Sequence, residues 1–132
     1  MIIDASVALK WLVAEEGSEA ALELLNRNDL AGPTLLHSEV ANGLRKKARK
    51  GELTKSPEIA RLTDTLATLV QTVDELPVIG RALVLAVQLD HAAYDCVYLA
   101  LAEQLGRELM TADGKFLRKV ANTEFALMVR PL

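Results

Sequence analysis

At 132 residues the chain is long enough to bury roughly 65 to 70% of its unfolded surface around one core, and residues 1–132 are read as a single domain. A hydrophobic content of 51% with 25% charged residues excludes a disordered chain and a simple coiled coil, and the lone cysteine, Cys96, excludes an intramolecular disulfide. The formal net charge of −3 gives no global attraction for nucleic acid.

The chain opens on an apolar, β-branched run (Met1, Ile2, Ile3) that meets Asp4 and passes at once into a helical pattern through Val7, Ala8, Leu9, Trp11 and Leu12. A run with no alternating polar residue suits a strand buried on both faces of a parallel sheet. Ligands of such sheets bind beyond the carboxyl ends of the strands, where Asp4 would stand. A strand-like start at Met1 leaves no room for the basic and apolar regions of a leader, so a cytoplasmic location is expected. No apolar stretch approaches the roughly 20 residues of a membrane span, the longest being broken by Arg81, Gln88 and Asp90, and no membrane partner is expected.

Glu15, Glu16 and Gly17 break the first helix, and Ser18 is a plausible cap for a second one carrying Ala21, Leu22, Leu24 and Leu25, which ends over Asn26 to Asp29. Leu30 to Leu35 reads as a short second strand made irregular by Gly32 and Pro33. A helix from about Ser38 to Lys50 follows, stopped by Gly51, with Glu39, Asn42, Gly43 and Lys46 on one face and Val40 and Leu44 on a neighbouring apolar one. Its end carries a basic block, Arg45, Lys46, Lys47, Arg49 and Lys50, which either complements the helix dipole or meets phosphates.

Ser56, Pro57 and Glu58 start a helix that runs to about Val70. Thr72 to Leu76 is a candidate third strand, Val78 to Leu89 a helix, and Ala93 to Leu105 a helix apolar on most sides and therefore buried, stopped by Gly106. Glu108 to Thr111 reads as a fourth strand, Lys115 to Val120 as a short helix and Phe125 to Val129 as the last strand. Strands alternating with helices imply right-handed βαβ units and a parallel sheet covered on both faces.

Four acids fall where this pattern expects burial or a strand end. Asp4 and Asp113 each follow an apolar strand, Asp95 begins the buried helix and Glu39 begins the helix after the second strand. Any one alone is explained by capping or by the helix dipole. Together at one end of one sheet they would repel unless a cation sat among them, and an all-oxygen set selects Mg²⁺ or Mn²⁺ over zinc.

The segments Ile2-Ile3-Asp4-Ala5-Ser6, Glu39-Val40-Ala41-Asn42-Gly43-Leu44, Tyr94-Asp95-Cys96-Val97-Tyr98-Leu99-Ala100-Leu101-Ala102 and Met110-Thr111-Ala112-Asp113 resemble, in order, the successive motifs of the PIN domain, specifically the VapC-like toxin ribonucleases. The resemblance implies a three-layer α/β/α sandwich with a central parallel sheet of four or five strands, and a Mg²⁺- or Mn²⁺-dependent endoribonuclease site leaving 3′-hydroxyl and 5′-phosphate ends. It further implies a VapB-like antitoxin, an RNA substrate and a homodimer. It makes Asp4, Glu39, Asp95 and Asp113 the metal-binding catalytic acids, Ser6 and Thr111 supporting hydroxyls and Asn42 a lining residue. Arg45, Lys46 and Lys47 would meet the RNA backbone. Two departures stand out. Lys115 occupies a position that is acidic in many relatives, leaving one or two metal ions open, and Cys96 replaces a small residue and reads as a buried, inert thiol. His91 reads as structural and outside the site, and Trp11 and the two tyrosines as core or interface residues.

Two rival readings share part of this pattern. A haloacid-dehalogenase type of phosphatase also places an aspartate after its first strand, but needs a second one where Ser6 stands. A non-catalytic module binding RNA or protein, with a decayed metal site, draws its support from Lys115.

Overall fold

A computed structural model describes residues 1–132. Five parallel strands form one sheet: β1 (Ile2–Ile3), β2 (Ala31–Pro33), β3 (Gln71–Val73), β4 (Leu109–Thr111) and β5 (Val129–Pro131), in the order β3-β2-β1-β4-β5. The helices are α1 (Ala5–Leu12), α2 (Ser18–Glu23), α3 (Leu35–Arg49), α4 (Arg61–Leu69), α5 (Ile79–Leu89), α6 (Ala93–Leu105) and α7 (Gly114–Val120).

The central strand is only two residues long, yet both isoleucines are fully buried and pair on both sides: Ile2 lies opposite Ala31 and Leu109, and Ile3 opposite Met110. From β1 the chain steps outward through β2 to β3, then returns to β4 and steps outward the other way to β5. Right-handed crossovers therefore put α1 to α4 on one face and α5 to α7 on the other. Helix α6 packs across β2, β1 and β4, with α5 against it, while α1 packs on α2 and α3. The strand order reverses between β1 and β4, and the crevice beyond their carboxyl ends is where such sheets bind ligands. Asp4 leaves β1 at that crevice and Asp113 lies two residues beyond β4.

Several boundaries differ from the sequence reading for identifiable reasons. Helix α1 begins at Ala5, with Asp4 as its cap, not at Val7. Gly17, at φ 82°, stands at the α2 cap position, and the Ser18 hydroxyl braces the preceding turn by accepting from the Glu15 N–H and donating to the Val13 carbonyl. The second strand ends at Pro33 because the Thr34 N–H turns to the Val73 carbonyl (3.1 Å) and the Glu75 carboxylate (2.9 Å), so α3 starts at Leu35. Glu39 thereby falls in the second turn of α3, not at its start. The third strand is Gln71–Val73, because Asp74 accepts from the Leu76 N–H (3.0 Å) and turns the chain away. Ser56 caps a short 3-10 turn, Pro57–Ala60, that leads into α4.

The last strand is Val129–Pro131, not Phe125–Val129. Phe125 is buried, but as the anchor of a turn whose carbonyl accepts from the N–H groups of Met128 and Val129. Its proline is tolerated because β5 is an edge strand. Helix α6 matches its predicted span and is buried from Cys96 to Ala102, although Tyr94, expected inside, is 64% exposed in its first turn. The Cys96 thiol is buried and pushed up to about 11, chiefly by burial, as an inert thiol requires.

Gly32 in β2 is needed for close approach. A Cβ there would lie 3.0 Å from Leu36 Cδ2 and 3.2 Å from the Ile3 carbonyl oxygen. Gly32→Ala is expected to lower stability by about 1 to 3 kcal/mol, the usual cost of overpacking, seen as a lower urea midpoint with unchanged slope. Because Ile3 directly precedes Asp4, the same strain reaches the crevice.

Candidate active site

Four segments deliver acids to one pocket of about 240 Å³ at the β1/β4 crevice, lined among others by Asp4, Glu39, Asp95 and Asp113. The Asp4 carboxylate is held on both oxygens. One accepts from the Ser6 hydroxyl (2.6 Å) and the Val7 N–H (3.1 Å), and the other from the Thr111 hydroxyl. The Ser6 oxygen in turn accepts from the Ala112 N–H (2.8 Å), and the Thr111 oxygen from the Asp113 N–H (3.0 Å). Two hydroxyls thus tie the end of β1 to the end of β4. Asp113 caps α7 with one carboxylate oxygen, which accepts from the N–H groups of Lys115 (2.7 Å) and Phe116 (3.2 Å), leaving its other oxygen free of protein donors.

From the helices, the Tyr98 hydroxyl donates to Glu39, joining α6 to α3. Tyr98 is buried and its phenol is pushed far above the ordinary range, first by burial and then by the Glu39 charge, so it remains a donor. His91 lies 2.6 Å through Nε2 from Asp95, with its ring tilted against Phe116 at a centroid separation of 5.1 Å. Ligand atoms of His91, Asp95 and Asp113 lie within 4.8 Å of one another.

Sequence reasoning left His91 outside the site and placed Tyr98 in the core. Tyr98 had a signal in its spacing, three residues after Asp95 and so on the same face of α6, whereas His91 lies in the turn before that helix and gave none. Lys46 and Asn42 line the pocket, as do Ser6 and Leu9. Arg45 donates to Asn42 (3.0 Å) and is otherwise exposed, whereas Lys47 is engaged by Glu15 and by Glu52 (2.8 Å) away from the pocket. Trp11 packs against the core and donates to the Ala21 carbonyl (2.7 Å).

The electrostatics are those of a charge cluster left uncompensated. Burial pushes the Asp4 carboxyl up to about 6 despite its hydrogen bonds. Burial also raises Glu39, only partly offset by Tyr98 and reinforced by the charge of Asp95. Asp95 is raised by burial and by Asp113, against the pull of His91. No Lys or Arg forms an ion pair with any of the four acids. Carboxylates that cannot discharge one another and lack a protein cation fit a hard divalent ion.

Thr111 offers a test of the tie. It is fully buried, and Thr111→Val would leave the Asp113 N–H without its acceptor and one oxygen of Asp4 without its donor. A loss of about 1 to 3 kcal/mol is expected in denaturant melts, with Thr111→Ser close to wild type.

Residues 1–122 match the family model described as PIN domain. Among curated proteins the chain is similar to Ribonuclease VapC3 of Pyrobaculum aerophilum, 34% identical over 125 residues covering 90% of this chain and 93% of that one. It is 35% identical to Ribonuclease VapC9 of Mycobacterium tuberculosis over 114 residues, 86% of this chain and 85% of that one. Two solved structures share its fold. One is PAE2754 from Pyrobaculum aerophilum, with a TM-score of 0.75 at 23% identity, covering 98% of this chain and 87% of that one. The other is VapBC2 from Rickettsia felis bound to a DNA fragment from their promoter, with a TM-score of 0.68 at 14% identity, covering 99% and 97%. The chain belongs to the PIN domain family.

Proposed function

We propose that the protein is a Mg²⁺- or Mn²⁺-dependent endoribonuclease acting as the toxin of a VapBC-type pair, a single cytoplasmic nuclease domain over residues 1–132. The observation that carries this is the convergence of Asp4, Glu39, Asp95 and Asp113 from four separate segments on one pocket with no Lys or Arg paired to them. The curated relatives named as ribonucleases support the activity, and the fold shared with VapBC2 supports a VapB-like antitoxin.

Asp4, Glu39, Asp95 and Asp113 would hold the cation. When bound it acts as a Lewis acid that activates water for attack and neutralises charge building on the phosphate. The protein's own part is positional. Ser6, Thr111 and the Val7 N–H fix the Asp4 carboxylate, Tyr98 aims Glu39, and His91 holds Asp95. Lys46 at the rim meets the RNA backbone, a contact that positions without specifying sequence, with Arg45 beside it through Asn42. Lys47, committed to Glu15 and Glu52, contributes less. A homodimer is supported by the exposed apolar stripe of Leu76, Ile79 and Leu83 leading into and along α5.

The test is incubation of total cellular RNA with the purified chain in Mn²⁺ and in EDTA. Cleavage in Mn²⁺ alone, leaving 5′-phosphate ends, is the expected result. No cleavage in either buffer, or equal cleavage in both, would overturn the reading.

A further inference from the structure

The acid pocket shares Asp95 and Asp113 with a larger groove of about 1240 Å³ between the α5–α6 turn and α7. Lys115, Arg118 and Lys119 line this groove and follow the i, i+3, i+4 spacing that puts them on one face of α7. The Lys115 ammonium and the Arg118 guanidinium have no hydrogen-bond or ion-pair partner, and Lys119 has only a 3.3 Å contact with the fully exposed Asp90.

Helix stabilisation accounts for Arg118 and Lys119, which lie in the last turn of α7, but not for Lys115. A cation in a first turn opposes the helix dipole. Arg118 also reaches back: its Nη1 lies 3.3 Å from where a Cβ on Gly114 would stand, so the guanidinium folds over the start of the helix beside Asp113. Two unpaired cations are thus brought next to two of the acids without neutralising either.

We propose that this groove carries the RNA strand on one side of the scissile bond, with Lys115, Arg118 and Lys119 contacting its phosphates while Lys46 serves the opposite rim. The inference rests on the ribonuclease reading and extends it. A chain of net charge −3, with four acids around its site, repels a polyanion unless cations flank the acids, and α7 supplies them on the side away from α3. The lining favours a phosphate backbone over a protein segment. Its apolar residues are three alanines and Val87, which give no pocket for the large apolar anchors that dominate protein interfaces. Lys115, unpaired in a first turn, then has a use in binding substrate.

The experiment is the salt dependence of binding to a labelled 15-nucleotide single-stranded RNA in EDTA, for wild type, Lys115→Gln/Arg118→Gln and a control, Arg107→Gln, which removes an exposed cation from the opposite end of β4. Loss of two phosphate contacts should make the slope of log affinity against log salt shallower by about 1.4, at about 0.7 per contact on single strands. The control should keep the wild-type slope. An unchanged slope in the double variant would overturn the proposal, as would retained RNA binding with loss of a co-expressed antitoxin, which would make the groove a protein-docking surface. Metal-dependent cleavage by wild type, measured in parallel, separates the two readings: if it is present while the slope is unchanged, only the groove assignment falls.

Discussion

Asp4→Asn is expected to reduce metal-dependent RNA cleavage by more than the roughly 10- to 100-fold that loss of an outer hydrogen-bond partner of a metal ligand costs, while the protein stays folded. The fold survives because asparagine caps a helix as well as aspartate does, so its side-chain oxygen can still accept from the Val7 N–H and begin α1. What is lost is the negative charge at the carboxyl end of the central strand, where no Lys or Arg answers it. Initial rates on a defined RNA in Mn²⁺, with circular dichroism to confirm the fold, check this. Cleavage near the wild-type rate would mean that Asp4 is only a cap.

The second large effect is on stability, and its sign depends on pH. Burial raises Asp4 from 3.8 to about 6, so between those values the native state holds more protons than the unfolded chain. Metal-free stability therefore falls as pH rises through that window. The Asp4 contribution is intact below about pH 4, and above pH 6 the ionised carboxylate costs on the order of 3 kcal/mol. Asp4→Asn removes that titration. In EDTA the variant should be more stable than wild type at pH 7 and lose the advantage toward pH 4. Glu39 and Asp95, raised in the same direction, leave a residual slope in both proteins. In excess Mn²⁺ at pH 7 the order should reverse, because wild type gains binding free energy that the variant forfeits. Urea melts across pH in both buffers give the comparison. An identical wild-type-minus-variant difference with and without Mn²⁺ would separate Asp4 from any metal site.

Asp4 and Asp113 were legible from sequence because each follows the end of a strand, whereas Glu39 lies in the second turn of α3 and Asp95 in the first turn of α6. Ile2-Ile3 and Leu109-Met110-Thr111 are too short and too apolar to be anything but buried parallel strands, so the first polar residue after each had to lie at the sheet's carboxyl edge. Helix α6 was equally clear, since only a helix buried on most sides tolerates apolar residues all round. The last strand was not legible. Buried Phe125 looks in sequence like a strand residue, and only the hydrogen bonds that fold residues 125–129 into a turn distinguish the two. His91 was missed for a related reason: a histidine near a helix end is usually structural, and its 2.6 Å contact with Asp95 depends on how the αL residue Asp90, at φ 48°, turns α5 into α6. The basic block at the end of α3 reads in sequence as one unit, open between the helix dipole and phosphates. Folding divides it, committing Lys47 to Glu15 and Glu52 while leaving Lys46 on the pocket.

Whether these four carboxylates form a divalent-metal site is decided by calorimetric titration of Mn²⁺ into metal-free wild type and Asp4→Asn at pH 7. A metal site there predicts saturable binding to wild type, and binding to the variant weakened by at least the roughly 10- to 100-fold that an outer partner alone would cost. Equal Mn²⁺ affinity in the two proteins would contradict it.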